Sequence, residues 1–450
     1  MPFLVAIAIY VLRIMRRPMD IRLKLRHLGP VVVMTGAVAL VLTWDRLRPN
    51  GVATSYLLGE LLGVLAVYLM TWTTVLATRS TSLERWFGGL DRMYFWHRLC
   101  GIWALLLFIP HALVTGHGSD QTVAAQNLTL SDQAGRGLGL FAALGLIALI
   151  LVSLARVSSL LHVGYRLWLV THRFIGLLLL AALVHGWLLD QVLAGSVVLR
   201  VIYLIISGVG VIAYGYDELV LRRRAPVADY VIKDVLRPGP QVTDIMLTPT
   251  GTGSPLRGGQ FVYLSVGGEH RWREHPFSVA GTSSDGSVRL TIRSRGRDTR
   301  RMHENLHPGL PAVINGPYGM FDHTLGGAHQ IWIAGGIGVA PFLGWLTTER
   351  VDEPDDIDLF YCVRTEAEAV FLPDLAAAAD RLPNLRVHPV FSRDQGRLDL
   401  DRIRAVAGPL AADTHVFLCG PTTMVAELSV DLRRQGIPRD YLHTEHFAFR

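Results

Sequence analysis

Six stretches of this chain are apolar over close to the length a membrane requires: residues 29–45, 56–78, 93–114, 136–158, 167–189 and 196–217. A helix needs roughly 20 apolar residues to cross the hydrocarbon core, so the pattern predicts six membrane-spanning helices, the first being the shortest. "FLVAIAIYVL" (3–12) is shorter still and is followed by Arg13, Arg16 and Arg17. A secretory signal carries its charge before the apolar run, so an interfacial helix is expected here, with a seventh span as the alternative. Beyond Arg222 the pattern changes to short runs broken by Gly, Pro and Asp. "DYVIKDVLRPGPQVTDIMLTP" (229–249), "GGQFVYLSV" (258–266) and "VRLTIRSR" (288–295) alternate with period two, which predicts a small antiparallel barrel of about 100 residues. "GTGSPLRGG" (251–259) reads as a hairpin loop within it. "HQIWIAGGIGVAPFLGWL" (329–346) reads as buried strand, glycine turn and helix, and "IDLFYCV", "LRVHPVF" and "THVFLCGP" follow, alternating with helical stretches; a parallel α/β sheet results.

The expected fold class is therefore a multi-domain membrane protein: a six-helix transmembrane bundle, an antiparallel β-barrel domain and an α/β nucleotide-binding domain. The expected boundaries are an N-terminal cytoplasmic or interfacial segment 1–28, a membrane domain 29–218, a barrel 222–325 and a nucleotide domain 326–450. Half of the 450 residues are hydrophobic and the mean hydropathy is +0.34, too apolar for an ordinary soluble protein of this length. Charge sets the orientation. The N-terminal segment, the 79–92 and 156–166 loops and "RRR" at 222–224 collect 14 Lys and Arg, against Arg46, Arg48 and Arg136 on the other side. Positive charge marks the cytoplasmic face, so the soluble half is expected inside. The net charge of +6 and pI near 9.4 follow largely from this asymmetry and call for no nucleic-acid partner. Three cysteines with no CxxC spacing argue against a disulfide framework, structural zinc or an iron–sulfur cluster. "NLT" at 127–129 has the form of a glycosylation sequon, a triplet frequent by chance.

Histidines supply the first candidate chemistry. "HRLCGIWALLLFIPHALVTGH" (97–117) places His97 and His111 in the third span, and the fifth places His172 and His185. Both spans run in the same direction, and separations of 14 and 13 positions are each about 20 Å along a helix. His97 thus matches His172 in depth near the inner surface, and His111 matches His185 near the outer one. Two histidines at one depth on neighbouring helices can ligate a haem iron from both faces, so the pattern predicts two stacked haems. Ionisable groups inside a membrane are costly enough to be read as functional. Fourteen residues return near the same helix face whereas 13 do not, so the fifth span is expected to be distorted or to meet its haems from different sides. Arg98 and Arg173 each follow an inner histidine and are candidates for haem propionates. In the soluble half, Gly335, Gly336 and Gly338 would let the backbone approach a pyrophosphate at a helix N-terminus.

"HPFSVAG" (275–281), "GPYG" (316–319), "GGIGVAPF" (335–342), "CGP" (419–421) and the terminal "EHFAFR" occur in the order found in the ferredoxin reductase-like flavoprotein module. Joined to six spans with two histidine pairs, the chain from about residue 29 resembles the NADPH oxidase and ferric reductase superfamily, especially its bacterial members. The resemblance implies FAD, two b-type haems and NADPH as cofactors, with NADH possible. Arg273, His275, Pro276, Phe277 and Ser278 lie where the family's HPF[TS] strand lines the flavin, and Arg293, Gly296 and Thr299 where it places the FAD pyrophosphate. Arg297 and Asp298 depart from the family's pattern there. The nicotinamide nucleotide is expected over Gly335, Gly336, Gly338 and Pro341 and near Cys419, Gly420 and Pro421. Phe447, with Phe449 as alternative, matches the aromatic that covers the flavin. Ser392 and Arg393 in "FSRDQGRL", with Arg364 in "YCVR", match the 2′-phosphate site of NADP-dependent members.

The function these implications predict is transmembrane oxidoreduction. Hydride from cytoplasmic NADPH goes to FAD, and electrons then pass singly through the inner and outer haems to an acceptor outside. Crossing the membrane couples to its potential at about 2.3 kcal/mol per charge per 100 mV. Dioxygen, giving superoxide, is the first choice of acceptor, and a ferric chelate the second. Delivery of electrons to an extracytoplasmic partner protein, docking near the 115–135 loop, is a reading of a different class. No obligatory protein partner is evident. A multi-pass cell-membrane location with the flavin and nucleotide domains in the cytoplasm is expected.

Overall fold

The computed structural model describes residues 25–48, 54–117, 129–153, 165–221, 227–267, 274–348, 356–411 and 413–445. The 3–12 segment, the 222–224 triplet, Arg273, Phe447, Phe449 and most of the 115–135 loop lie outside them. Two compact units emerge, one built of residues 27–87 and 92–223, the other chiefly of residues 224–450.

In the first unit the helices are α1 (Leu28–Leu47), α2 (Thr54–Ala77), α3 (Thr81–Phe87), α4 (Leu90–His117), α5 (Leu130–Ser153), α6 (Tyr165–Arg173), α7 (Ile175–Leu189), α8 (Gln191–Gly195) and α9 (Val197–Tyr216). Among the described residues six helical stretches are long and apolar enough to cross a membrane, the fifth being Leu167–Leu189. The fourth starts at Leu130 rather than at 136. Thr129 and Asp132 form reciprocal hydrogen bonds, Asp132 N to Thr129 Oγ1 at 3.2 Å and Thr129 N to Asp132 Oδ2 at 3.1 Å. This capping arrangement makes a polar first turn helical, which an apolar count does not register. The fifth span is broken. Phe174 separates α6 from α7, its N–H reaching only Thr171 O at 3.0 Å, so His172 and His185 sit on two helical pieces.

Lipid is as apolar as leucine, so membrane helices need close packing and hydrogen bonds to hold together. Side chains such as Ile212, 71% exposed, face outward. Inside, Tyr68 donates to Val33 O at 2.8 Å, Tyr203 to Leu183 O at 2.9 Å and Thr71 to Ile206 O at 3.2 Å. Asp190 caps α8 by accepting from Val192 N and Leu193 N.

In the second unit, β1 (Val227–Gly239), β2 (Val242–Pro249), β3 (Phe261–Val266), β4 (His275–Thr282), β5 (Val288–Arg293) and β6 (Pro311–Tyr318) close a barrel in the order β1-β2-β5-β4-β3-β6. The alternating sequence puts Ile232, Ile245, Leu247, Val262, Leu264, Val279, Leu290 and Ile314 in its core. The expected hairpin at 251–259 is corrected: this segment joins β2 to β3, which are not neighbours, and so crosses over the barrel. Its glycines serve close packing instead of a tight turn. A Cβ on Gly258 would lie 2.4 Å from the Gly344 carbonyl carbon. Helix α10 (Arg297–Asn305) lies between β5 and β6 and buries Met302.

The remaining strands, β7 (His329–Gly335), β8 (Asp356–Val363), β9 (Leu385–Phe391), β10 (His415–Cys419) and β11 (Leu442–Glu445), form a parallel sheet in the order β11-β10-β7-β8-β9. Helices α11 (Ala340–Thr348), α12 (Leu372–Arg381), α13 (Ser392–Gln395), α14 (Leu400–Ala407) and α15 (Thr422–Arg434) connect them. Trp332, Ala334, Leu359 and Phe417 pack on one face and Ile331, Ile333, Phe360 and Val416 on the other. A sheet covered on both faces explains the continuous apolar runs. Strands β6 and β11 and helix α10 are elements that the sequence pattern did not single out.

Candidate functional site

The first unit brings the four histidines together as two pairs. His97 and His172 have ring centroids 6.2 Å apart, and His111 and His185 6.3 Å apart. Three of the rings are anchored through Nδ1. That of His97 donates to Thr73 O at 2.9 Å, that of His111 to Gly59 O at 2.8 Å and that of His185 to Gly135 O at 2.9 Å. A carbonyl can only accept, so these bonds place the proton on Nδ1 and leave Nε2 as the bare nitrogen. Glycine makes room for the rings. A Cβ on Gly63 would lie 2.8 Å from the His111 ring, and one on Gly139 only 2.4 Å from His185 Nδ1. Pro110 lies within α4 just before His111, where it removes one helical hydrogen bond. Nε of Arg173 is buried without a hydrogen-bond partner among the described residues.

The second unit gathers most of the soluble candidates. Strand β4 carries His275, Pro276, Phe277 and Ser278 between β3 and β5. Ser278 Oγ donates to Glu445 Oε2 at 3.4 Å and the Cys419 thiol reaches the same oxygen at 3.8 Å. Glu445 Oε1 is buried with no partner among the described residues. Burial pushes this carboxyl up to about 8 and the Cys419 thiol well above its usual value, so both hold their protons at neutral pH. Glu445 was only a landmark in the sequence. Its signal was position: it ends β11, beside Cys419 at the end of β10.

The glycine turn and the "CGP" segment interlock. A Cβ on Gly338 would meet Cys419 O at 2.4 Å, and one on Gly335 would meet Pro421 Cδ at 2.6 Å. Gly336 has φ +56°, and Pro341 is buried in the first turn of α11. Only residues without a Cβ allow this approach of two backbones. Arg293, ending β5, extends over the turn, its Nη1 3.0 Å from where a Gly336 Cβ would be. Arg293, Gly336, Tyr361, Arg364 and Glu368 line one pocket.

Gly296 caps α10, and Thr299 Oγ1 accepts from the N–H groups of Arg295 and Gly296, each at 3.0 Å. His275 Nε2 lies 3.3 Å from Asp298 Oδ2, which joins the flavin-strand candidates to the α10 N-terminus. Arg393 N donates to Arg364 O at 3.0 Å, so these candidates and Ser392, which begins α13, share the ends of β8 and β9. The Arg364 guanidinium is held by Glu368 at 2.6 Å.

Residues 62–183 match the ferric reductase like transmembrane component, residues 250–322 an FAD-binding domain and residues 332–429 an oxidoreductase NAD-binding domain. The chain is 33% identical over 157 residues to a vanillate O-demethylase oxidoreductase of Pseudomonas putida, covering 34% of this chain and 47% of that protein. It is 30% identical over 204 residues to a carnitine monooxygenase reductase subunit of Escherichia coli (strain K12), covering 44% and 61%. It thus spans about half the length of the curated relatives it matches. Among solved structures, a flavohemoglobin from Malassezia yamatoensis with bound FAD and heme aligns with a TM-score of 0.49 at 16% identity, covering 96% of this chain and 100% of that one. Taken in chain order, the three domain matches give this protein the architecture of the ferric reductase and NADPH oxidase superfamily, a ferric reductase-like membrane component fused to FAD-binding and NAD-binding oxidoreductase modules.

Proposed function

We propose that this protein moves electrons from cytoplasmic NADPH, through FAD and two b-type haems, to an acceptor on the outer side of the membrane. The observation that carries the reading is the pair of histidine pairs, with ring centres 6.2 and 6.3 Å apart, in the same chain as FAD and NAD modules. An imidazole nitrogen sits about 2 Å from the metal it ligates, so two rings flanking one iron have centres roughly 6 Å apart. Among the described residues no three His, Cys, Asp or Glu gather into a metal cage. A haem iron would need only two ligands from the protein, and the anchored Nδ1 atoms would leave Nε2 of each ring free to serve as one. His97 with His172 would hold the inner haem, His111 with His185 the outer one, and the orphaned Arg173 Nε suits an inner propionate.

When bound, FAD converts a two-electron hydride donor into single electrons that haems carry onward. The chain's own residues do the remaining work. His275, Pro276, Phe277 and Ser278 line the flavin, Arg293, Gly296 and Thr299 hold its pyrophosphate, and the Gly335–Gly338 turn and Cys419–Pro421 receive the nicotinamide nucleotide. Glu445, protonated and buried beside Ser278 and Cys419, holds a proton next to the site of hydride transfer. Arg273 and Phe447 complete the flavin site in this reading, with residues 29–218, 222–325 and 326–450 as the three domains. The excess of Lys and Arg on one side of the spans supports a cytoplasmic soluble half.

Dioxygen is the proposed acceptor, with a ferric chelate second. The reductase subunits among the relatives favour one further reading, electron delivery to a partner protein outside. The deciding experiment is NADPH consumption by the purified, haem-loaded protein, in air with superoxide detection and then anaerobically with ferric citrate. Superoxide formed in step with NADPH supports the oxidase, reduction of ferric citrate alone supports the reductase, and neither leaves delivery to a protein. Absence of haem and of dye reduction together rejects the whole reading.

A further inference from the structure

The four membrane histidines are not held alike. His97, His111 and His185 each donate Nδ1–H to a backbone carbonyl at 2.8 to 2.9 Å. Nδ1 of His172 is buried and has no hydrogen-bond partner among the described residues. Its ring lies instead on the face of Trp168, one turn earlier in α6, with centroids 5.0 Å apart and planes at 23°. Trp168 is itself pinned from α5: its Nε1 donates to Ser153 Oγ at 3.0 Å, and Ser153 Oγ donates to Leu149 O at 2.8 Å.

These two ways of holding a ring differ chemically. A hydrogen bond from Nδ1 to a carbonyl fixes orientation and also makes the opposite nitrogen a stronger donor to a metal. Stacking on an indole fixes orientation through the ring faces and leaves donor strength unchanged. We propose that Trp168 is the positioning residue for His172, and that His172 is the weakest and most replaceable of the four haem ligands. The inference rests on the two-haem reading above. The inner haem then has one anchored and one merely stacked ligand, the outer haem two anchored ones, and an added ligand displaces His172 before any other histidine.

The test uses the full-length, haem-loaded protein in detergent, with ferric EPR and carbon monoxide difference spectra of the dithionite-reduced protein as readouts. Trp168→Leu removes the stacking face, and about half of the low-spin signal, one haem of the two, is expected to become high-spin and to bind carbon monoxide. Trp168→Phe keeps an aromatic face while losing the bond to Ser153, and is expected to convert only a small fraction, comparable to Ser153→Ala and far below Trp168→Leu. Ser153→Ala, a milder change, is expected to convert a smaller fraction of the same haem and serves if Trp168→Leu does not accumulate. Low-spin spectra and no carbon monoxide binding in either Trp168→Leu or Ser153→Ala would overturn the proposal, as would equal conversion of both haems. A parent protein that takes up no haem overturns the two-haem reading instead, so the two failures are told apart.

Discussion

Glu445 shows at the scale of one residue how burial turns a landmark into chemistry. Its folded carboxyl titrates near 8 against an ordinary 4.5 because it is desolvated. A raised pKa means that its contribution to stability is fully present below 4.5 and is lost as pH rises through about 8. Glu445→Gln cannot titrate, so its stability should fall less than the parent's between about pH 4.5 and pH 8 in chemical denaturation. If the carboxyl serves the hydride step, flavin reduction by NADPH in stopped flow should slow by about a hundredfold and lose its inflection near pH 8. Arg393 carries a second prediction. Arg393→Ala should lower kcat/KM for NADPH about tenfold, the loss of a charge-assisted hydrogen bond, and leave NADH unchanged. An equal loss with both nucleotides would reject its place at the 2′-phosphate. At this scale the membrane histidines were legible because their spacing is a property of one chain. Glu445 and Trp168 were not, because their partners arrive from other elements: Ser278 and Cys419 for one, Ser153 and His172 for the other.

Elements position the rings. Helix α5 reaches His185 through Gly135 O and clears it at Gly139, where a Cβ would intrude to 2.4 Å of Nδ1. Gly139→Ala should displace His185 and lower bound haem from two per chain to about one, with flavin reduction by NADPH unchanged. Gly137→Ala, whose Cβ meets nothing within 4 Å, should keep both; haem quantitation separates the two outcomes. The spans, barrel and sheet were readable because burial repeats with period 3.6 or 2 along the chain. Crossing of the 251–259 segment was not readable, since a glycine-rich run looks the same whether it turns a hairpin or lets Gly258 lie on Gly344. Nor was β11, a short parallel strand whose pairing with β10 bridges more than twenty residues.

At the scale of the whole molecule, the barrel and nucleotide sheet share one compact unit that includes residues 224–450. Arg289 ties them together, pairing with Asp244 of β2 at 2.7 Å and Asp374 of α12 at 2.7 Å, and Gly344 of α11 packs on Val279 O of β4. Residues 222–450 expressed alone should therefore fold as one cooperative unit, bind FAD and pass electrons from NADPH to a soluble dye without any haem. A folded fragment that neither binds FAD nor oxidises NADPH would reject the flavoprotein reading of this half. Composition announced the division into membrane and soluble halves, because solvent dictates residue type over long stretches. It carried no record of Arg289 and its two acids, since single ion pairs leave composition unaltered.

The interruption at Phe174 has a consequence for how the four histidines can be tuned. In a straight helix, two residues 13 apart point roughly 140° away from each other, and no change short of moving one along the sequence alters that phase. With α6 and α7 joined at Phe174, the heading of His172 is set by how α6 lies and that of His185 by how α7 lies. The single tightened turn at Phe174, where its N–H bonds Thr171 O instead of the carbonyl four residues back, is thus the place where the phase between the two levels is reset.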